Sequence, residues 1–276
     1  MSLWNSAYVD VSGLQLHYHR TGGTKPPLVL AHGITDNGLC WSRVARILAQ
    51  SYDVVMYDAR GHGLSAAPET GYNIVDHAND LVGLVAALEL EQPRLLGHSM
   101  GAATVAMVAA NHPYLAHSIV LEDPPLPQND DLDQVIATHR MNMQERRHLA
   151  AQQQSYTREE LMAIGRSESS LWAEEEFAIW AEAKHQVSLN IFNDTYLSRV
   201  PWQETFRKIE CPILLITADI AAGAFVTSEQ VAELHTIWQQ GEVTHISGAG
   251  HNIRRDQFEQ YIAAINTFWQ AKTRYR

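Results

Sequence analysis

The sequence is poor in cysteine, in basic charge and in long apolar runs, and each shortage removes a class of protein. Cys40 and Cys211 are its only two cysteines, and they stand far apart. They fit no metal-ligand spacing and read as small core residues. Twenty Lys and Arg face 31 Asp and Glu, for a net charge of −11. No basic run or patch interrupts that acidic balance, so no nucleic-acid partner is expected. No apolar run approaches the roughly 20 residues that span a bilayer. Met1 to Asp10 lacks the basic and apolar regions of a secretory leader. The expectation is a cytoplasmic protein with no membrane partner. Internal repeats and low-complexity segments are also missing.

What is present is 46% hydrophobic content in 276 residues, enough for one sizeable core, with or without an insertion. Tyr8–Val11 and Leu14–Tyr18 alternate apolar and polar residues around Ser12-Gly13, which predicts a β-hairpin. Continuous apolar runs at Pro27–Ala31, Val54–Tyr57, Leu95–Leu96, His117–Leu121 and Pro212–Thr217 predict strands buried on both faces, and Val243–Ile246 a last strand. Helical periodicity covers Trp41–Gln50, Val75–Leu90, Glu229–Gln240 and Phe258–Trp269. This alternation of strand and helix predicts a parallel α/β sheet. From Pro125 to about Glu210 the β-branched runs vanish and the pattern is helical throughout. The predicted organisation is a core of residues 1–124 and 211–276, with a helical insertion at 125–210.

The chemistry concentrates at Gly97-His98-Ser99-Met100-Gly101, between an apolar strand and an Ala-rich helix start. A serine on so tight a strand-to-helix turn presents its hydroxyl above the sheet, and the flanking glycines leave room for the turn. The helix that follows aims unpaired N–H groups and a positive dipole end at Ser99. A serine hydroxyl needs a base, and the base needs a third group to orient it. Among 14 histidines, His251 has the right position, in the small-residue loop Ser247–Gly250 after the last strand.

Together His32-Gly33, Asp58-x-Arg60-Gly61-His62-Gly63-x-Ser65, Gly97-x-Ser99-x-Gly101 and Gly248-x-Gly250-His251 resemble the α/β-hydrolase superfamily. The resemblance covers nearly the whole chain outside 125–210, which occupies the place of that family's cap. It implies a mostly parallel eight-stranded sheet with helices on both faces. It also implies an oxyanion hole made by the backbone N–H groups of Ile34 and Met100. Losing one such donor typically costs about 10²–10³ in rate.

The acid departs from the family pattern. Its usual place, three residues beyond a glycine after the strand 212–217, is Ala221 here, and Ala218 stands for the glycine. Asp219 lies nearby in that loop. Asp123 ends the strand before the insertion, where some members of the family carry their acid, and is the favoured candidate; Asp219 comes second and Glu122 third. Asp58 and Arg60 read as an ion pair or loop support. His32 reads as loop support and His98 as turned away from the nucleophile. Both are also candidate substrate contacts, with Trp172 and Trp180 of the insertion. Glu145–Arg147 and Glu174–Glu176 read as solvated faces, and Met141, Met143, Leu171 and Phe192 as pocket lining or as packing within the insertion.

A serine nucleophile makes hydrolysis of a small to medium carboxylic ester or lactone the leading expectation, with no metal or cofactor. Carbon–carbon bond hydrolysis or cofactor-free haloperoxidase-type chemistry on the same residues is the alternative. A ligand receptor with residual hydrolysis is a third possibility. A monomer or homodimer is expected.

Overall fold

The computed structural model describes residues 4–127, 132–193, 200–238 and 241–273. Each buried strand is a run of large apolar residues whose neighbours face opposite sides of the sheet. In β3 (Pro27–Ala31), Val29 joins one core while Leu28 and Leu30 join the other. Leu95 and Leu96 split the same way in β5 (Arg94–His98), as do Leu215 and Leu214 in β7 (Ile213–Ala218). Two cores require helices on both faces. On one lie α2 (Ile74–Ala87) and α3 (Met100–Asn111), supplying Leu81, Leu84 and Val105. On the other lie α1 (Ser42–Leu48) and α10 (Phe258–Thr273), supplying Val44, Tyr261 and Phe268.

The sheet has eight strands in the order β1-β2-β4-β3-β5-β6-β7-β8. The hairpin of β1 (Asn5–Val11) and β2 (Leu14–Arg20) turns at Ser12-Gly13, where both φ angles are positive (52° and 85°). That is the geometry of a two-residue loop whose twist matches its strands. β2 pairs antiparallel with β4 (Asp53–Tyr57), and the six strands from β4 to β8 run parallel, including β6 (Ser118–Glu122) and β8 (Gly241–Ile246). Their carboxyl ends therefore share one edge, where open α/β sheets place their sites.

Between β6 and β7 every described element is helical: α4 (Leu132–Gln154), α5 (Arg158–Glu168), α6 (Glu174–Gln186), a short turn at Leu189–Phe192 and α7 (Trp202–Arg207). Residues 128–131 and 194–199 of the predicted insertion lie outside the described residues, as do Gln239 and Gln240 of the predicted helix Glu229–Gln240; its described part, α8, spans Ser228–Ile237. The chain closes through α9 (Ile253–Asp256) into α10. No helix among the described residues is long and apolar enough to cross a membrane. Both cysteines are buried and free, and burial pushes the Cys40 thiol up to about 12.

Candidate active site

Ser99 caps α3 directly beyond β5, at φ 52° and ψ −116°. A side chain in that region is strained, and such strain persists only where the surroundings impose it. Here they do. A Cβ on Gly97 would lie 2.3 Å from the Gly101 carbonyl oxygen, and one on Gly101 would lie 2.2 Å from that of Ala31. The turn is held by close packing against β3 that only glycine allows. Met100 opens α3, so its N–H has no acceptor within the helix.

His251 reaches the same edge from the loop between β8 and α9. Its Nδ1 lies 2.6 Å from Oδ2 of Asp123, whose side chain is fully buried. Imidazole can donate there only through Nδ1–H, which leaves Nε2 with a lone pair. Asp123 also has a positive φ, 43°. Its two carboxylate oxygens accept N–H donors from Phe225 (3.0 and 2.9 Å), and Oδ1 accepts Val226 at 3.0 Å. The Phe225 ring stacks on His251 with centroids 3.9 Å apart. The loop after β7 thus supplies amides and an aromatic face to this pair.

Asp219 and Glu122 point elsewhere. Asp219 is partly exposed and accepts from the Gly248 amide (2.7 Å) and bonds His245 Nε2 (3.0 Å), which together hold its carboxyl below the usual range. It braces the loop leading to His251 without meeting the imidazole. Glu122 lies on the opposite side of its strand and accepts from the Arg254 amide at 3.0 Å.

A cavity of about 210 Å³ lies in front of these groups, lined from the core by Ile34, His98, Ser99, Phe225 and His251 and from the insertion by Arg146, Trp172, Trp180 and Lys184. His98 faces this cavity, contrary to the expectation that it turns away. Its Nε2 bonds the His251 carbonyl oxygen at 2.9 Å, and burial holds its pKa well below the ordinary value. A carbonyl accepts only from N–H, so His98 Nε2 donates and steadies the His251 backbone. His32 is not part of the cavity lining. Its Nδ1–H donates to the Gly33 carbonyl (2.8 Å) and its Nε2 accepts from the Ala59 amide (3.0 Å). Both ring nitrogens are occupied, so His32 braces the loop carrying Ile34 and is withdrawn as a substrate contact.

Asp58 accepts from His17 Nδ1 and from the amides of Gly38 and Leu64, while Arg60 forms a two-pronged pair with Asp80 at 2.6 Å. Both are loop supports. Neither of the two expected solvated faces is fully solvated. Glu176 is buried against Arg255, and Arg146, though exposed, borders the cavity. Met143 and Phe192 are buried in the core, whereas Met141 and Leu171 are exposed.

A model of the alpha/beta hydrolase fold family matches residues 26–253. The chain belongs to the α/β-hydrolase family. Among relatives of this hydrolase, N-formylmaleamate deformylase of Pseudomonas putida is 28% identical over 272 residues, covering 94% of each chain. A 2-(acetamidomethylene)succinate hydrolase of Mesorhizobium japonicum is 37% identical over 118 residues, which cover 43% of this chain and 42% of that one. The crystal structure of an E-2-(acetamidomethylene)succinate hydrolase superposes with a TM-score of 0.81 at 25% identity, covering 97% of this chain and 99% of the other.

Residues missed in the sequence are Thr35, Asp36, Lys184, Phe225, Asn252 and Arg255, all of which line the cavity. Arg255 follows His251 by four positions and could have been flagged for that reason. Nothing local marks Lys184, which reaches the site only through the folding of the insertion.

Proposed function

We propose that this hydrolase cleaves a carboxylic ester or lactone of a small to medium molecule through an acyl-Ser99 intermediate. The observation that carries the reading is the Asp123–His251 hydrogen bond, facing one cavity with a serine held on a strained turn. In this mechanism Ser99 Oγ attacks the carbonyl carbon while His251 Nε2 takes its proton. The N–H groups of Ile34 and Met100 stabilise the tetrahedral oxyanion. His251 then gives the proton to the leaving oxygen as the C–O bond breaks. Water repeats the sequence on the acyl-enzyme, releasing the acid and restoring Ser99. The cavity volume supports a small substrate.

Hydrolysis of an acyl–nitrogen bond is a second reading. It is favoured by the deformylase that matches this chain along 94% of both lengths, whose name specifies removal of an N-formyl group. The same steps apply with nitrogen as the leaving atom.

The test is turnover of a panel of p-nitrophenyl esters, simple lactones and N-formyl amides by the wild type and by Ser99→Ala. Hydrolysis that disappears in the variant supports acyl-serine chemistry, and the preferred member chooses between ester and amide. No turnover of any member by folded protein overturns both readings and favours carbon–carbon cleavage on the same residues.

A further inference from the structure

Four charged side chains line the Ser99 cavity: Arg146, Lys184 and Arg255 against one carboxylate, Asp36. Asp36 is already engaged by two guanidinium groups, Arg254 Nη2 at 2.9 Å and Arg255 Nη2 at 3.3 Å. Arg254 and Arg255 are completed by the buried carboxylates Glu122 and Glu176. Lys184 is left over. Its side chain is buried, and its Nζ donates to the Thr35 carbonyl (3.1 Å) and to Thr35 Oγ1 (2.6 Å). Among the described residues no carboxylate lies within ion-pair distance of it. An ammonium has three N–H donors, so one is left without an oxygen acceptor, and Nζ lies 5.1 Å from the centroid of the Trp180 ring, which supplies a π face but no negative charge. Burial lowers the Lys184 pKa, with Asp36 opposing, as expected of a cation short of compensating charge. Arg146 likewise forms no ion pair among the described residues.

A buried cation with no carboxylate in ion-pair contact, and with the nearby Asp36 already shared by two guanidinium groups, is costly to keep, and burying it at the Ser99 cavity points to a ligand that completes it. We propose that Lys184 and Arg146 seat a carboxylate carried by the substrate, so that this hydrolase prefers anionic acyl compounds to neutral ones. This rests on the acyl-Ser99 reading for its substrate bond, and on Lys184 and Arg146 for its charge. Thr35 lies next to Ile34 and itself has a positive φ of 64°. A carboxylate on Lys184 would thereby sit beside the amide proposed for the oxyanion, which fixes the distance between charge and scissile carbonyl.

Two substrate pairs test the proposal: mono-p-nitrophenyl glutarate against p-nitrophenyl valerate, and para-carboxyphenyl butyrate against phenyl butyrate. The first places the charge on the acyl side, the second on the leaving group. The wild type should favour the charged member of at least one pair by about 10- to 100-fold in kcat/KM. Lys184→Met and Arg146→Gln should each shrink that ratio about tenfold, and Arg146→Lys should retain it. Wild-type ratios near one in both pairs, or ratios that the variants leave unchanged, overturn the carboxylate seat while ester hydrolysis stands. Glutarate binding gives a readout independent of turnover. It should raise the Tm of the wild type and raise it less in either variant, and no rise overturns the proposal even if no ester is cleaved. Should Lys184→Met not fold, the exposed Arg146→Gln decides.

Discussion

Asp123 meets His251 across 128 positions of sequence, Oδ2 to Nδ1 at 2.6 Å, while Asp219, far nearer in the chain, bonds His245 instead. The difference is one of direction. Asp123 is buried at the end of an inner strand and receives the amides of Phe225 and Val226, which hold its carboxylate in place. Asp219 is a partly exposed brace. Asp123→Asn should therefore lower kcat by about 10⁴ through the wrong imidazole tautomer. Asp219→Asn should stay within a few-fold of the wild type. Losses of similar size in both variants would refute this assignment.

The fold was legible because its signals are local: buried runs, punctuating glycines and helical periods all lie within short windows. The serine and histidine loops were legible for the same reason. The pairing of His251 was legible only as a preference for Asp123, because strand-end position alone does not separate it from Asp219 until the loop after β7 is placed. That loop donates N–H groups, a contribution that carries no side-chain signature. Lys184 and Glu176 were illegible for another reason. Both lie in a helix dense with charge, Glu174–Gln186, whose low amphipathicity conceals the face turned inward. Only contact with Thr35 and Arg255 distinguishes them from their solvated neighbours.

His62 makes stability depend on pH. It is fully buried, and burial, followed by the neighbouring His32, pushes its pKa down to about 3. The unfolded value is about 6.5, so between these limits the unfolded chain binds a proton that the folded chain does not. Stability from this group is present above pH 6.5 and is lost as pH falls towards 3, by at most about 1.4 kcal/mol per pH unit. Urea unfolding at pH 7.5, 5.5 and 4.5 should show the wild type declining more steeply than His62→Gln. Equal slopes would remove His62 as the cause.

Asp256 joins the insertion to the loop that carries His251 through a single carboxylate. Oδ1 accepts from Trp172 Nε1 at 2.9 Å, and Oδ2 accepts from the Gly250 amide at 2.8 Å, one residue before His251. Trp172, packed beneath the Arg255 guanidinium at 4.4 Å, lines both the Ser99 cavity and a second cavity of about 310 Å³ that also reaches His251. Its indole thus borders both spaces, as do His251 and Asn252, and Asp256 holds the indole through Nε1. An asparagine cannot accept on both sides, since its amide nitrogen would face an N–H donor. A hydrogen bond to a charged group is worth about 1.5–3 kcal/mol, so Asp256→Asn should cost up to about 10- to 100-fold in kcat/KM, carried mainly by KM. Trp172→Phe removes the same bond and keeps most of the aromatic lining. If the two residues act through that one contact, the double variant should lose little more than the worse single variant. Losses that simply add would show that Asp256 and Trp172 serve the site independently.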